Sequence, residues 1–175
     1  MKISNNRIIL TGWEKFYHYS FLVFLGCIPV MSLFFILQMS FTVSYTGVRS
    51  MSDFIRLGTI GLILILIFGI WQYSKLKFKV VEISMSEYDL NQILKECSRQ
   101  LEWNIVSNQN NVIIFTRSNF SLWGERITIV KFENKILINS ICDPSAMLAI
   151  TSLGRNSENV RVFREVAGNF VHNNG

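Results

Sequence analysis

Residues 19–39 read YSFLVFLGCIPVMSLFFILQM, and residues 54–73 read FIRLGTIGLILILIFGIWQY. The first stretch lies within 33 residues between Lys15 and Arg49 that contain no Lys, Arg, Asp or Glu. The second covers most of a similar run of 18 residues between Arg56 and Lys75. A helix of about 20 apolar residues, rising about 1.5 Å each, crosses the hydrocarbon core of a bilayer. Both stretches predict spanning helices. Arg56 sits one turn from an end, where its long side chain snorkels to the headgroups. Trp13, Tyr17 and Tyr19 flank one span and Trp71 and Tyr73 the other, as amphipathic rings do at an interface. A buried hairpin in a soluble protein is the competing reading, but a chain of 175 residues has too small a core to hide both segments. The first span reads as a retained signal anchor, because its apolar region is long and no small-x-small cleavage pattern follows.

Flanking cations set the expected orientation. Lys2, Arg7 and Lys15 precede the first span, and Lys75, Lys77 and Lys79 follow the second. The connecting loop, residues 40–53, carries only Arg49 and Asp53. The positive-inside rule then puts both termini in the cytoplasm, and in a bacterium the membrane is the inner one. The expected division is a cytoplasmic segment 1–18, a transmembrane hairpin 19–74 and a cytoplasmic domain 75–175.

The net charge of +5 does not point to nucleic acid. Residues 1–79 hold eight Lys/Arg against two Asp/Glu, whereas residues 80–175 hold nine against ten. The basic excess belongs to the membrane part, so the soluble part has no net attraction for phosphate backbones. Lys15, Lys75, Lys77 and Lys79 are instead candidate contacts to lipid headgroups, at about 1 kcal/mol each near an anionic surface. Cys27, Cys97 and Cys142 form no CxxC pair and read as small buried hydrophobes.

The soluble half alternates between the two periods. KLKFKVVEI, 75–83, alternates as a strand would, a helical continuation of the second span being the alternative. Ser86 is a good N-cap, and Leu90, Ile93, Leu94, Cys97 and Leu101 recur at helical spacing. Residues 102–107 and 112–117 predict one hairpin, and 126–132 and 135–142 a second that turns at Glu133-Asn134, where Asn tolerates the left-handed conformation. Asp143-Pro144 ends the last strand. A final helix is expected from about Glu158, capped by Asn156 or Ser157, with Val160, Phe163, Ala167 and Phe170 inward. The predicted fold is a membrane α-hairpin of two helices plus a small two-layer α+β domain, with an antiparallel sheet of four or five strands and two helices. The run RIIL, 7–10, is a candidate extra strand for that sheet.

The inventory for chemistry is thin. His18 and His172 are far apart in sequence and neither has a metal partner nearby, so no metal is expected. GxSxG, HExxH, P-loop and GxGxxG patterns are absent, and no catalytic set or cofactor is assigned. Gly154, Arg155, Asn156 and Ser157 form a candidate anion site of turn, cation and backbone N–H groups. Phe120, Leu122 and Trp123, in a predicted loop, are candidates for touching a partner or the membrane surface; packing under the sheet is the plainer account. Within the spans, Pro29 with Gly26 predicts a kink, and Gly58 and Gly61 permit close helix contact without forming GxxxG.

The runs WGERITIV (123–130), ENKILINSICDP (133–144) and SLGRNSENVRVF (152–163) resemble those of uncharacterised small bacterial inner-membrane proteins. That group has two N-terminal transmembrane helices and a C-terminal α+β domain. The resemblance implies a bacterial inner-membrane setting and transfers no functional residue.

Two functions remain in contention. One is a non-catalytic, membrane-anchored interaction protein whose cytoplasmic domain binds a protein partner, as an adaptor, assembly subunit or immunity protein does. The other is a membrane-perturbing or pore-forming effector, as in a defence system, whose soluble domain senses a signal and drives homo-oligomerisation. Membrane lipid is a partner in both, and nucleic acid in neither. An enzyme acting on lipid or phosphate is a third, weaker reading, for want of an acid, base or metal set.

Overall fold

The computed structural model describes residues 2–4, 6–41, 47–83, 85–109, 111–117, 124–132, 134–144 and 154–174. The chain forms two compact units: His18–Ser74, and Met1–Tyr17 together with Lys75–Gly175.

The first unit contains most of helices α1 (Gly12–Phe41) and α2 (Met51–Lys75). Both are long and apolar enough to cross a membrane. With 30 residues, α1 is about 45 Å long, so it exceeds the hydrocarbon core by several turns. The helices meet through small residues. A Cβ added to Gly61 would lie 3.0 Å from Pro29 Cδ and 3.1 Å from Ile28 Cγ2, and one added to Gly58 would lie 3.2 Å from Ser32 Cβ. Pro29, expected as a kink, thus serves as a packing surface inside a helix that continues past it. Ser32 donates its hydroxyl to the Ile28 carbonyl at 2.9 Å, which keeps that polar group satisfied at the contact. Phe35 stacks on Phe54 at 4.9 Å, and Phe21 meets Phe68 edge-on.

The second unit is a five-stranded antiparallel sheet with two helices and a small N-terminal hairpin. Its strands are β3 (Lys79–Val81), β4 (Asn104–Gln109), β5 (Val112–Arg117), β6 (Glu125–Lys131) and β7 (Ile136–Cys142). Their spatial order is β3-β7-β6-β5-β4. The chain from 75 to 83 is extended as a strand only over β3, because α2 runs on to Lys75.

Helix α3 (Glu87–Leu101) begins as its sequence dictates. The Ser86 hydroxyl accepts from the Asp89 N–H at 3.1 Å, and the Asp89 carboxylate accepts from the Ser86 N–H at 3.3 Å. Its five predicted inward residues are all buried. It ends at Glu102, which adopts the left-handed conformation at φ 56°. That is why β4 starts at Asn104 and not at Glu102. Helix α4 (Arg155–Asn174) starts three residues before the expected Glu158. Gly154, at φ 93°, precedes it, and its carbonyl accepts the Ser157 and Glu158 N–H groups at 3.0 Å each. Asn156 and Ser157 therefore stand in the first turn and are not caps.

The two faces of the sheet carry different clusters. Ile127, Ile129, Ile136 and Ile138 point to α3 and α4, where Leu90, Ile93, Phe163 and Ala167 meet them. Val130, Leu137 and Ile141 point the other way, onto Ile8, Leu10, Leu76 and Phe78. Strands β6 and β7 are thus covered on both sides, a third layer beyond the two expected. The third layer includes β1 (Lys2–Ser4) and β2 (Arg7–Ile9). The candidate strand RIIL pairs with β1 in its own hairpin and does not join the main sheet. It bridges Lys77, with bonds from Ile8 N–H to the Leu76 carbonyl and from Phe78 N–H to the Asn6 carbonyl, both 3.0 Å.

Candidate functional site

Three features of the soluble unit bring polar or exposed groups together. The first lies at the end of the sheet where β5 finishes, β6 begins and β7 finishes. The register Arg117↔Glu125↔Cys142 sets these residues in one cross-strand row. The first turns of α4 carry the groups that meet this end of the sheet. Arg155 Nε lies 3.2 Å from Glu125 Oε1, and Arg117 Nη1 lies 2.7 Å from Glu158 Oε2. Asn159, fully buried, accepts from Trp103 Nε1 at 3.1 Å and Arg117 Nη1 at 3.2 Å through one oxygen. Its amide donates to Ser140 Oγ at 3.0 Å, and that hydroxyl lies 3.0 Å from Asn156 Oδ1.

The electrostatics of this cluster are those of a lock. Burial pushes the Glu125 carboxyl above the usual carboxylate range, and Arg155 and Arg117 draw it back. The hydrogen bond from Arg117 holds Glu158 below that range. Burial also raises the Cys142 thiol, which keeps it protonated and a poor nucleophile. Ser140 already has partners as both donor and acceptor. The network ties the start of α4 to three strands.

The sequence-derived anion candidates fall on this cluster with their groups turned inward. Arg155 meets a carboxylate of its own chain, Asn156 meets Ser140, and Gly154 supplies the first helical carbonyl. Ser157 is exposed. Phe120, Leu122 and Trp123 lie outside the described residues. Among the described residues no group of three or more His, Cys, Asp or Glu is placed to hold a metal ion.

The second feature is the part of the second unit that flanks the two apolar helices in sequence. Lys15, Lys75, Lys77 and Lys79, the headgroup candidates, are all exposed, and Trp13 is 73% exposed. Two residues that pattern reading did not single out fix this region. Arg126 Nη1 lies 2.6 Å from Glu14 Oε1, which ties the first turn of α1 to β6. Asn139, buried on β7, donates its amide to the Lys75 carbonyl at 2.8 Å and the Lys77 carbonyl at 2.9 Å. It thereby satisfies a carbonyl left open at the end of α2.

The third feature is the outer edge of the sheet. β4 pairs with β5 on one side, and no described strand pairs with its other side. Ile105 and Val106 are 62% and 61% exposed. Between β4 and α3 lies a groove of about 430 Å³, floored by Leu94, Trp103 and Phe115 and rimmed by Asn91, Lys95 and Asn108. The sequence signal for it was the pair Ile105-Val106, two adjacent apolar residues in a strand otherwise polar.

No protein-family model, curated protein or solved structure matches the chain.

Proposed function

We propose that this chain is a non-catalytic, membrane-anchored interaction protein. Its two spans hold it in a bacterial inner membrane with both termini in the cytoplasm, and its α+β domain binds a protein partner as an adaptor, assembly subunit or immunity protein. The carrying observation is the exposed Ile105-Val106 pair on an edge strand, beside an open groove with an aromatic floor. The inward pairing of the α4 cluster supports the same reading, since Glu158, Ser140, Asn156 and Asn159 bond to groups of the same chain. The shared core of Ile8 and Leu10 with Phe78 and Leu137 supports an even number of crossings, because it joins the chain before the spans to the chain after them.

The test is purification of the tagged full chain from native membranes in mild detergent, with mass spectrometry of what accompanies it. A stoichiometric protein partner is expected. Turnover of a substrate by the purified chain, abolished by one point substitution, would overturn the reading.

A further inference from the structure

We propose that the groove between α3 and β4 binds an extended peptide segment of a partner protein. The segment adds as a sixth strand along β4, sets an apolar side chain over Trp103 and Phe115, and turns a carboxylate toward Lys95. This rests on the reading of the chain as an interaction protein and names how the partner is held.

The backbone sets the class of ligand. An open edge presents a row of N–H and C=O groups, and an extended peptide matches that row. Natural edges are blunted by Lys, by Pro, by charge, by a bulge or by a cover, and of these β4 has the register shift between Ile105 and Ser107. Residues 104–109, NIVSNQ, contain no charged residue and no Pro. The register pairs Ile105 with Phe115 and Asn108 with Ile113, so Ile105 and Asn108 face the groove. The groove volume of about 430 Å³ is within the range of ligand sites and exceeds a single large side chain. Trp103 and Phe115, with ring centroids 5.4 Å apart, give it a rigid apolar floor.

Charge narrows the ligand further. On α3, Glu96 is held by Arg99 at 2.6 Å and by Gln100 at 2.7 Å. Lys95, one residue earlier, lines the groove and forms no ion pair among the described residues. An acidic residue in the ligand, or its terminal carboxylate, complements that rim. The same feature argues against a second copy of this chain pairing β4 to β4. That strand brings no carboxylate to meet Lys95.

The full chain in detergent or nanodiscs is used to select from a displayed library of random twelve-residue peptides, about twice the strand's length. Enriched peptides are expected to share one apolar and one acidic position. Fluorescence anisotropy should then show at least tenfold weaker binding to Ile105→Glu and to Lys95→Glu. Exchanging the peptide's acid for Lys should restore binding to Lys95→Glu. Both positions are exposed, and unchanged circular dichroism and Tm verify that the variants fold. Absence of enrichment, or binding indifferent to both substitutions, overturns the proposal. Cross-linking of β4 to β4 between copies through Ile105→Cys also overturns it, in favour of a dimer. A native partner that co-purifies equally with Ile105→Glu and Lys95→Glu removes the groove proposal and leaves the interaction reading intact. No partner and no enriched peptide removes both.

Discussion

Asn159→Leu tests the buried network most directly. Leucine has the same number of side-chain heavy atoms as asparagine and branches at the same carbon, but it is the bulkier of the two, so some crowding adds to the lost hydrogen bonds at this fully buried position. The substitution removes the acceptor of Trp103 Nε1–H, a group on a buried ring. A stranded buried donor costs about 1–3 kcal/mol. The bond to Ser140 Oγ is also lost, at about 0.5–1.5 kcal/mol, although that hydroxyl keeps Asn156. Arg117 keeps Glu158 at 2.7 Å and adds little to the cost. The expected loss is about 2–4 kcal/mol. At an m-value of about 1.5 kcal/mol/M this lowers the urea midpoint by roughly 1 M or more. The assay is urea unfolding of the full chain in detergent, followed by far-ultraviolet circular dichroism. A cycle with Trp103→Phe isolates the pair: the double variant should lose about 1–2 kcal/mol less than the sum of the single ones. A loss below about 1 kcal/mol for Asn159→Leu, or additivity within about 0.3 kcal/mol, would refute the account.

Glu102→Gly should stabilise the domain by up to about 1 kcal/mol in the same urea assay, because glycine adopts the left-handed helix end without a Cβ clash. Gly61→Leu should separate the spans, since even a Cβ there meets Pro29 and Ile28; disulfide trapping between paired cysteines on α1 and α2 should fall severalfold. Two acids give opposite pH signatures. Glu158, with its pKa lowered in the fold, contributes stability above its ordinary pKa and loses it as pH falls through the folded value; Glu158→Gln should flatten that acid limb. Glu125, with its pKa raised, contributes below its ordinary pKa and loses that contribution as pH rises through the folded value; Glu125→Gln should flatten that decline in urea midpoints measured from pH 4 upward. Cys97, with its thiol pushed up to about 12 by burial, should resist iodoacetamide at pH 8 until urea unfolds the domain.

The elements that sequence conveyed best are those with a local cause. Ser86 with Asp89, and the inward series Leu90 to Leu101, announce α3 without any knowledge of its neighbours. The β-rich runs that became β5, β6 and β7, set off by polar turns, are equally local. Boundaries failed where a backbone conformation decided them. Glu102 reads as a strand residue but ends a helix in the left-handed region, and Gly154 starts α4 through its carbonyl where a side-chain cap was expected. The third layer escaped because RIIL is too short to reveal whether it extends a sheet or covers one. The polar anchors were visible only as anomalies. Arg126 and Asn139 interrupt apolar strands, but Glu14 stands 112 positions from Arg126 and Lys75 stands 64 from Asn139. No periodicity reaches that far. The groove needed the sheet order, which places β4 outermost.

The soluble unit is discontinuous: residues 1–17 and 75–175 share a core, and the spans are inserted between them. This sets a schedule for biogenesis. The first hairpin leaves the ribosome early, but the strands it covers, β6 and β7, are made only after both spans. Until then Ile8 and Leu10 have no sheet to cover, and the domain cannot close. Completion of its core therefore waits on the synthesis of both apolar helices. A form of the domain without the apolar helices is correspondingly expected to need residues 1–17 joined to residue 75.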